Sequence, residues 1–184
     1  GLPDDIEGSI SGIIGEGVAA NNVNGVWSGS LSTFAGGEGY WVITTESISF
    51  SFELSSLDRI KPTKPKEQTF PDGFDTMQST QQAFYFIDKI KTESADELND
   101  GWIISYYHGK VTGSRRWTGD MIDIPVMGND GNSYSQGYLH TGETPQFKYL
   151  DNTTGKLTDL YHGDIPQWEN NGIYILGSMD VKEI

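Results

Sequence analysis

The sequence predicts an all-β fold: an antiparallel β-sandwich, Ig-like or jelly-roll-like, built as one body or as two small β subdomains. Three observations carry this. The 184 residues include 5 Trp, 9 Tyr, 8 Phe and 23 Gly, a mixture that suits pleated surfaces joined by tight turns. Short apolar or alternating runs recur along the chain, with no long stretch of helical period. Between them stand turn signals such as Asn24-Gly25, His108-Gly109, Asn129-Asp130-Gly131-Asn132 and Asn152-Thr-Thr-Gly155, residues that accept positive φ or bond their own backbone.

Taken in order, Pro3-Asp-Asp-Ile-Glu suits one helical turn, because acids after a proline fit a helix N-terminus. Ile13-Ile14 and Val18-Ala19-Ala20 then read as a buried strand with a glycine bend. Gly15-Glu16-Gly17 lacks the Lys-Ser/Thr ending of a phosphate loop. Strands follow at 26–31, 40–44 and 48–54, and the strict alternation of the last puts Ile48, Phe50, Phe52 and Leu54 on one buried face.

The pattern lapses around Arg59 and Lys61-Pro62-Thr-Lys64-Pro65-Lys66, which suits an extended connector. The expected organisation is an N-terminal β subdomain over 1–57, a Pro/Lys-rich connector over 58–76 and a C-terminal sandwich over 77–184. In the last, an aromatic strand at 82–87 precedes an acidic loop at 93–100. A hairpin follows, 101–107 and 110–117 turning at His108-Gly109. Further strands are expected at 145–150, 156–161 and 172–179.

The central stretch is Asp123-Ile-Pro-Val-Met-Gly-Asn-Asp-Gly-Asn-Ser-Tyr-Ser-Gln-Gly-Tyr138. Its Asn129–Asn132 segment reads as a hairpin or tight loop. The same oxygens, with Asp120 and Asp123 upstream, offer a second reading as a calcium site formed by Asp120, Asp123, Asn129, Asp130 and Asn132. Against it, no acidic residue follows where an EF-hand places its bidentate Glu.

A formal charge of −14, with 12 Lys and Arg spread along the chain against 26 Asp and Glu, argues against nucleic acid as a partner, because phosphate binding needs a basic stripe. It disfavours anionic membrane surfaces for the same reason. No apolar run approaches the roughly 20 residues of a membrane helix. With 0 Cys, disulfide frameworks and thiol chemistry are excluded. Gly1 opens the chain without Met or a basic leader, as a processed terminus or a fragment boundary would.

For catalysis the sequence offers little. Tyr107-His108-Gly109 and Tyr161-His162-Gly163 are similar contexts without paired metal-ligand spacing, and Gly29-Ser30 and Gly113-Ser114 lack a nucleophile elbow. Paired carboxylates for glycoside hydrolysis have no signature, because the pair is defined in space. Flat aromatic rings beside polar residues suit sugar faces and hydroxyls. Trp117 and Trp168, with Tyr134 and Tyr138 beside the central turn, are the expected ligand contacts, whereas Trp41 and Trp102 lie in apolar strands.

Gly12-Ile-Ile-Gly-Glu-Gly-Val-Ala19, Val26-Trp-Ser-Gly-Ser-Leu31 and Gly37-Glu-Gly-Tyr-Trp-Val42 resemble a segment of large secreted and surface proteins of marine and related bacteria. Gln82-Ala-Phe-Tyr-Phe-Ile87, Gly101-Trp-Ile103, Asp123 to Gly131, Gly137-Tyr138 and Thr141 to Phe147 resemble a repeated β-rich module of the same proteins. The resemblance implies an extracellular or cell-surface location and a role as an accessory or adhesion-type module; taken with the aromatic residues, the expectation is a non-catalytic module that binds glycan or another surface protein. The alternatives are a polysaccharide hydrolase using paired carboxylates and a structural assembly module.

Overall fold

The computed structural model describes Leu2, residues 4–50 and residues 69–181. The chain divides into two compact units, Gly1–Gln68 and Thr69–Ile184, with a boundary inside the expected connector. Most of that connector, and residues 51–54 of the strand expected at 48–54, lie outside the described residues. Residues 48–50 belong to no strand, and Phe50 is exposed rather than on a buried face.

In the first unit a helical turn α1 (Asp4–Glu7) precedes β1 (Ile10–Gly15), β2 (Val18–Val23), β3 (Val26–Gly29) and β4 (Trp41–Thr44). They form an antiparallel sheet in the order β3-β2-β1-β4. The glycine bend at 15–17 is a hairpin turn between two strands rather than a bend within one. The next turn, Asn24-Gly25, has φ of 52° and 83°, the doubly positive pair that matches strand twist. Ile6, Ile10 and Ile13 are buried together, with Leu2, Trp27, Leu31, Tyr40, Val42 and Ile48 packed around them.

The second unit contains β5 (Gln82–Lys91), β6 (Gly101–Tyr107), β7 (Lys110–Trp117), β8 (Ile122–Met127), β9 (Gln146–Asp151), β10 (Leu157–Tyr161) and β11 (Ile173–Val181). They form one sheet in the order β7-β6-β9-β10-β11-β5-β8. Every pairing is antiparallel except β11 with β5. The β6–β7 hairpin turns at His108-Gly109, with φ of 46° and 82°. The sheet folds over itself in the manner of a sandwich, bringing its terminal strands β7 and β8 against each other. Tyr85, Ile87, Ile103, Trp117, Ile124, Phe147 and Trp168 fill the interior.

Polar groups join the two terminal strands. Arg115 on β7 donates from Nε to the Asp123 carbonyl at 2.9 Å and from Nη2 to the Asp123 carboxylate at 2.8 Å. Ser105 donates to the Pro125 carbonyl at 2.9 Å and accepts from Thr112 at 3.0 Å. Gly113 faces the same carbonyl, and a Cβ there would lie 2.0 Å from it. Asp123 is fully buried and is paired with Arg115.

Removing one partner of a buried pair strands the other charge, at a cost of about 3–5 kcal/mol. Asp123→Ala is therefore expected to destabilise the protein by about that much in denaturant titrations. An Arg115→Leu, Asp123→Leu double variant should lose less than the single one.

Candidate functional site

The first unit holds an open cavity of about 780 Å³, and its walls follow from local sequence. Glu7 ends α1, where its carboxylate accepts the Trp27 indole N–H at 2.5 Å. Asn22 donates to the Glu7 carbonyl at 3.2 Å and accepts from Gly25 N at 2.8 Å. The β2–β3 hairpin is thereby tied to α1, and the indole ring of Trp27 is fixed at the cavity edge.

Beyond β3 the chain runs beside Ala19, whose carbonyl accepts from Leu31 N at 2.9 Å. Residues 31–34 then form the opposite wall. Phe34 meets Tyr40 edge-on, with ring centroids 4.8 Å apart, and the Tyr40 hydroxyl accepts from Ala35 N at 2.8 Å. Ile13, Ala20 and Leu31 supply apolar surface, Trp27 and Phe34 aromatic surface, and Ser28, Ser32, Thr33 and Glu7 polar groups. Before Arg59 the chain carries eight Asp and Glu and no Lys, Arg or His.

No family model matches the chain, and no curated protein matches its sequence.

The aromatics expected to meet ligand lie elsewhere, and the structure corrects three of the four. Trp117 and Trp168 are fully buried in the second unit's core. Their indole N–H groups donate to the carbonyls of Leu98 at 2.6 Å and Val126 at 2.9 Å. The polar neighbours in sequence mark buried donors with backbone partners, not rings facing water. Gly128 leaves room for Trp168, since a Cβ there would lie 2.3 Å from the ring. Tyr138 is also buried; its hydroxyl donates to the Met77 carbonyl at 3.1 Å, and Lys110 sits 4.4 Å from its ring centroid. Tyr134 is half-buried and donates to Asp130 at 2.5 Å.

The five oxygen ligands are not brought together. Asp120 precedes β8 and Asn129 follows it, and six strand residues span about 20 Å. Asp123 is committed to Arg115. Asp130 is the hub of its own loop: its carboxylate accepts from Ser135 Oγ at 2.7 Å, Asn132 N at 3.1 Å and Thr80 N at 3.3 Å, besides Tyr134. Asn129 Oδ1 accepts from Gly131 N at 2.9 Å. The loop is tight but is not a hairpin, because a 3-10 turn at Ser133–Ser135 follows it. The chain then returns through a single bridge, Gly128 with Leu139.

All three histidines have local partners. Glu143 accepts from the backbone N of His140 at 2.7 Å, and the Tyr107 hydroxyl and this N–H hold its carboxyl below the usual range. The Tyr107 and His108 rings meet at 4.2 Å. His162 Nδ1 lies 2.8 Å from the Asp164 carbonyl in a local turn. No group of three or more His, Asp or Glu among the described residues is arranged to hold a metal.

Sequence reasoning missed Glu7, Trp27 and Phe34 as a set. The available signal was a Trp in a short strand within a segment free of basic residues.

Two outcomes follow from these placements. Trp168→Ala removes a fully buried ring and should cost about 3–5 kcal/mol in chemical denaturation. The Tyr134 and Ser135 hydroxyls hold the Asp130 carboxyl well below its ordinary value of 3.8. A depressed carboxyl stabilises the fold above the unfolded value and loses that contribution as pH falls towards the folded one. The Tm advantage of the native chain over Asp130→Asn should accordingly shrink as pH is lowered below 3.8.

Proposed function

We propose that the chain is a non-catalytic saccharide-binding module, of the extracellular or cell-surface kind that its sequence resemblance implies, with the cavity beside Trp27 as its ligand site. The observation that carries this reading is the cavity's composition: the Trp27 and Phe34 rings stand with the Ser28, Ser32 and Thr33 hydroxyls around about 780 Å³. That volume lies within the roughly 300–1,000 Å³ of small-ligand pockets. Aromatic faces cover the C–H surfaces of sugar rings, and hydroxyls and carboxylates take their O–H groups.

Fixing the indole through Glu7 lowers the ordering cost of binding, since less side-chain freedom remains to be lost. Hydrolysis would require two carboxyl groups separated by about 5–10 Å. Glu7 is the one carboxylate lining this cavity among the described residues, and binding therefore accounts for the composition better than glycoside cleavage does.

Titration calorimetry against an oligosaccharide panel tests the proposal. Trp27→Ala and Phe34→Ala should each weaken binding roughly tenfold or more, as truncation of a central aromatic contact does. Phe34 is 39% exposed and its ring contact is with Tyr40, so its variant should stay folded with only a small drop in Tm and separate binding from folding. An absence of binding across the panel, or native affinity in both variants, would remove the proposal.

A further inference from the structure

We infer that the saccharide this cavity takes is a cationic amino sugar whose ammonium group sits against Glu7; the inference rests on the saccharide reading of the same cavity. Glu7 lines the cavity wall, and its Oε1 accepts from the Trp27 indole at 2.5 Å. Its Oε2 has no hydrogen-bond partner among the described residues. The carboxylate is thus held in place by one oxygen while the other remains available to a ligand donor. An ammonium group has three donors and a full charge, and charge-assisted hydrogen bonds are roughly twice as strong as neutral ones.

The surroundings point the same way. No basic side chain precedes Arg59, while eight carboxylates do, so among residues 4–50 nothing basic neutralises Glu7. An acidic sugar would meet only like charge there, whereas a cation is drawn towards the site. The Trp27 and Phe34 rings line the same cavity and supply the flat surface on which the sugar's C–H face can lie while its ammonium meets Glu7. A neutral sugar could use the same rings, but it would leave the carboxylate charge unpaired. Glucosamine units combine what the site offers: a C–H face for the indole, hydroxyls for Ser32 and Thr33, and an ammonium for Glu7.

The test is titration of the full chain, under mildly acidic conditions, with glucosamine oligomers, their N-acetylated counterparts and glucose oligomers of equal length. The glucosamine series should bind about tenfold more tightly than the other two, with an advantage that shrinks as salt screens the charge. In Glu7→Gln that preference should collapse, and in Glu16→Gln, an exposed acid outside the cavity lining, it should persist. Loss of selectivity on salt addition to the native chain supplies a readout that does not depend on the Glu7 variant folding. Equal binding of all three series would overturn the cationic assignment and leave saccharide binding standing. Binding of none would overturn the saccharide reading, and this inference with it.

Discussion

The second unit depends on one buried ion pair. Its seven strands form a single sheet whose terminal members, β7 and β8, would otherwise present two rows of unpaired backbone groups. Arg115 prevents this at one point by donating to both the carbonyl and the carboxylate of Asp123. Ser105 does so at a second point, through the carbonyl of Pro125. Pro125 itself has no N–H to offer a ladder, which is why a proline is tolerated in a terminal strand. Gly113 lets the two strands approach because any side chain would strike that carbonyl. The interior beneath this seam is lined with aromatic side chains, where a charge is costly unless it is paired and hydrogen-bonded, as Asp123 is to Arg115.

The same commitment explains why the central stretch does not behave as a ligand loop. Its acids look free in a chain of net charge −14, yet each has been assigned work by the fold. Asp123 neutralises Arg115, and Asp130 gathers hydroxyl and backbone donors from Thr80, Asn132, Tyr134 and Ser135. A carboxylate with that many donors is a structural centre, and its depressed proton affinity is the electrostatic expression of the same contacts. Counting oxygens along a sequence therefore overstates what remains available for a cation.

Local rules were legible where the interactions are local. His108-Gly109 sits where the chain needs two positive φ values, and the hairpin it closes, Gly101–Tyr107 with Lys110–Trp117, has the expected limits. The strands at Trp41–Thr44, Gln146–Asp151 and Leu157–Tyr161 also lie within a residue of their expected ranges. What pattern alone could not supply was pairing and depth. The parallel match of β11 with β5 joins segments about ninety residues apart, and no turn signal encodes it. Burial of Trp117 and Trp168 depends on carbonyls and a glycine from distant segments, Leu98, Val126 and Gly128. A polar flank marks a tryptophan whose N–H needs an acceptor, and that acceptor can be backbone as readily as ligand.

In the first unit the same reasoning runs in the opposite direction. Its sheet places small residues, Ala20 on β2 and Gly29 on β3, in the cavity lining, where larger ones would fill the space beside Trp27. Gly29 pairs with Ala20, and a Cβ on it would lie 2.3 Å from the Ala19 carbonyl. Its φ of 126° is reserved for glycine in practice. The hollow is thus partly a consequence of how closely the backbones pack at that point. What makes the hollow chemically specific is that the indole at its rim is not left to choose its orientation. Glu7 holds Trp27, Asn22 holds Glu7's backbone, and Gly25 holds Asn22. A ring fixed by a chain of hydrogen bonds can meet a ligand without first being ordered by it, and the carboxylate at the start of that chain lines the same opening.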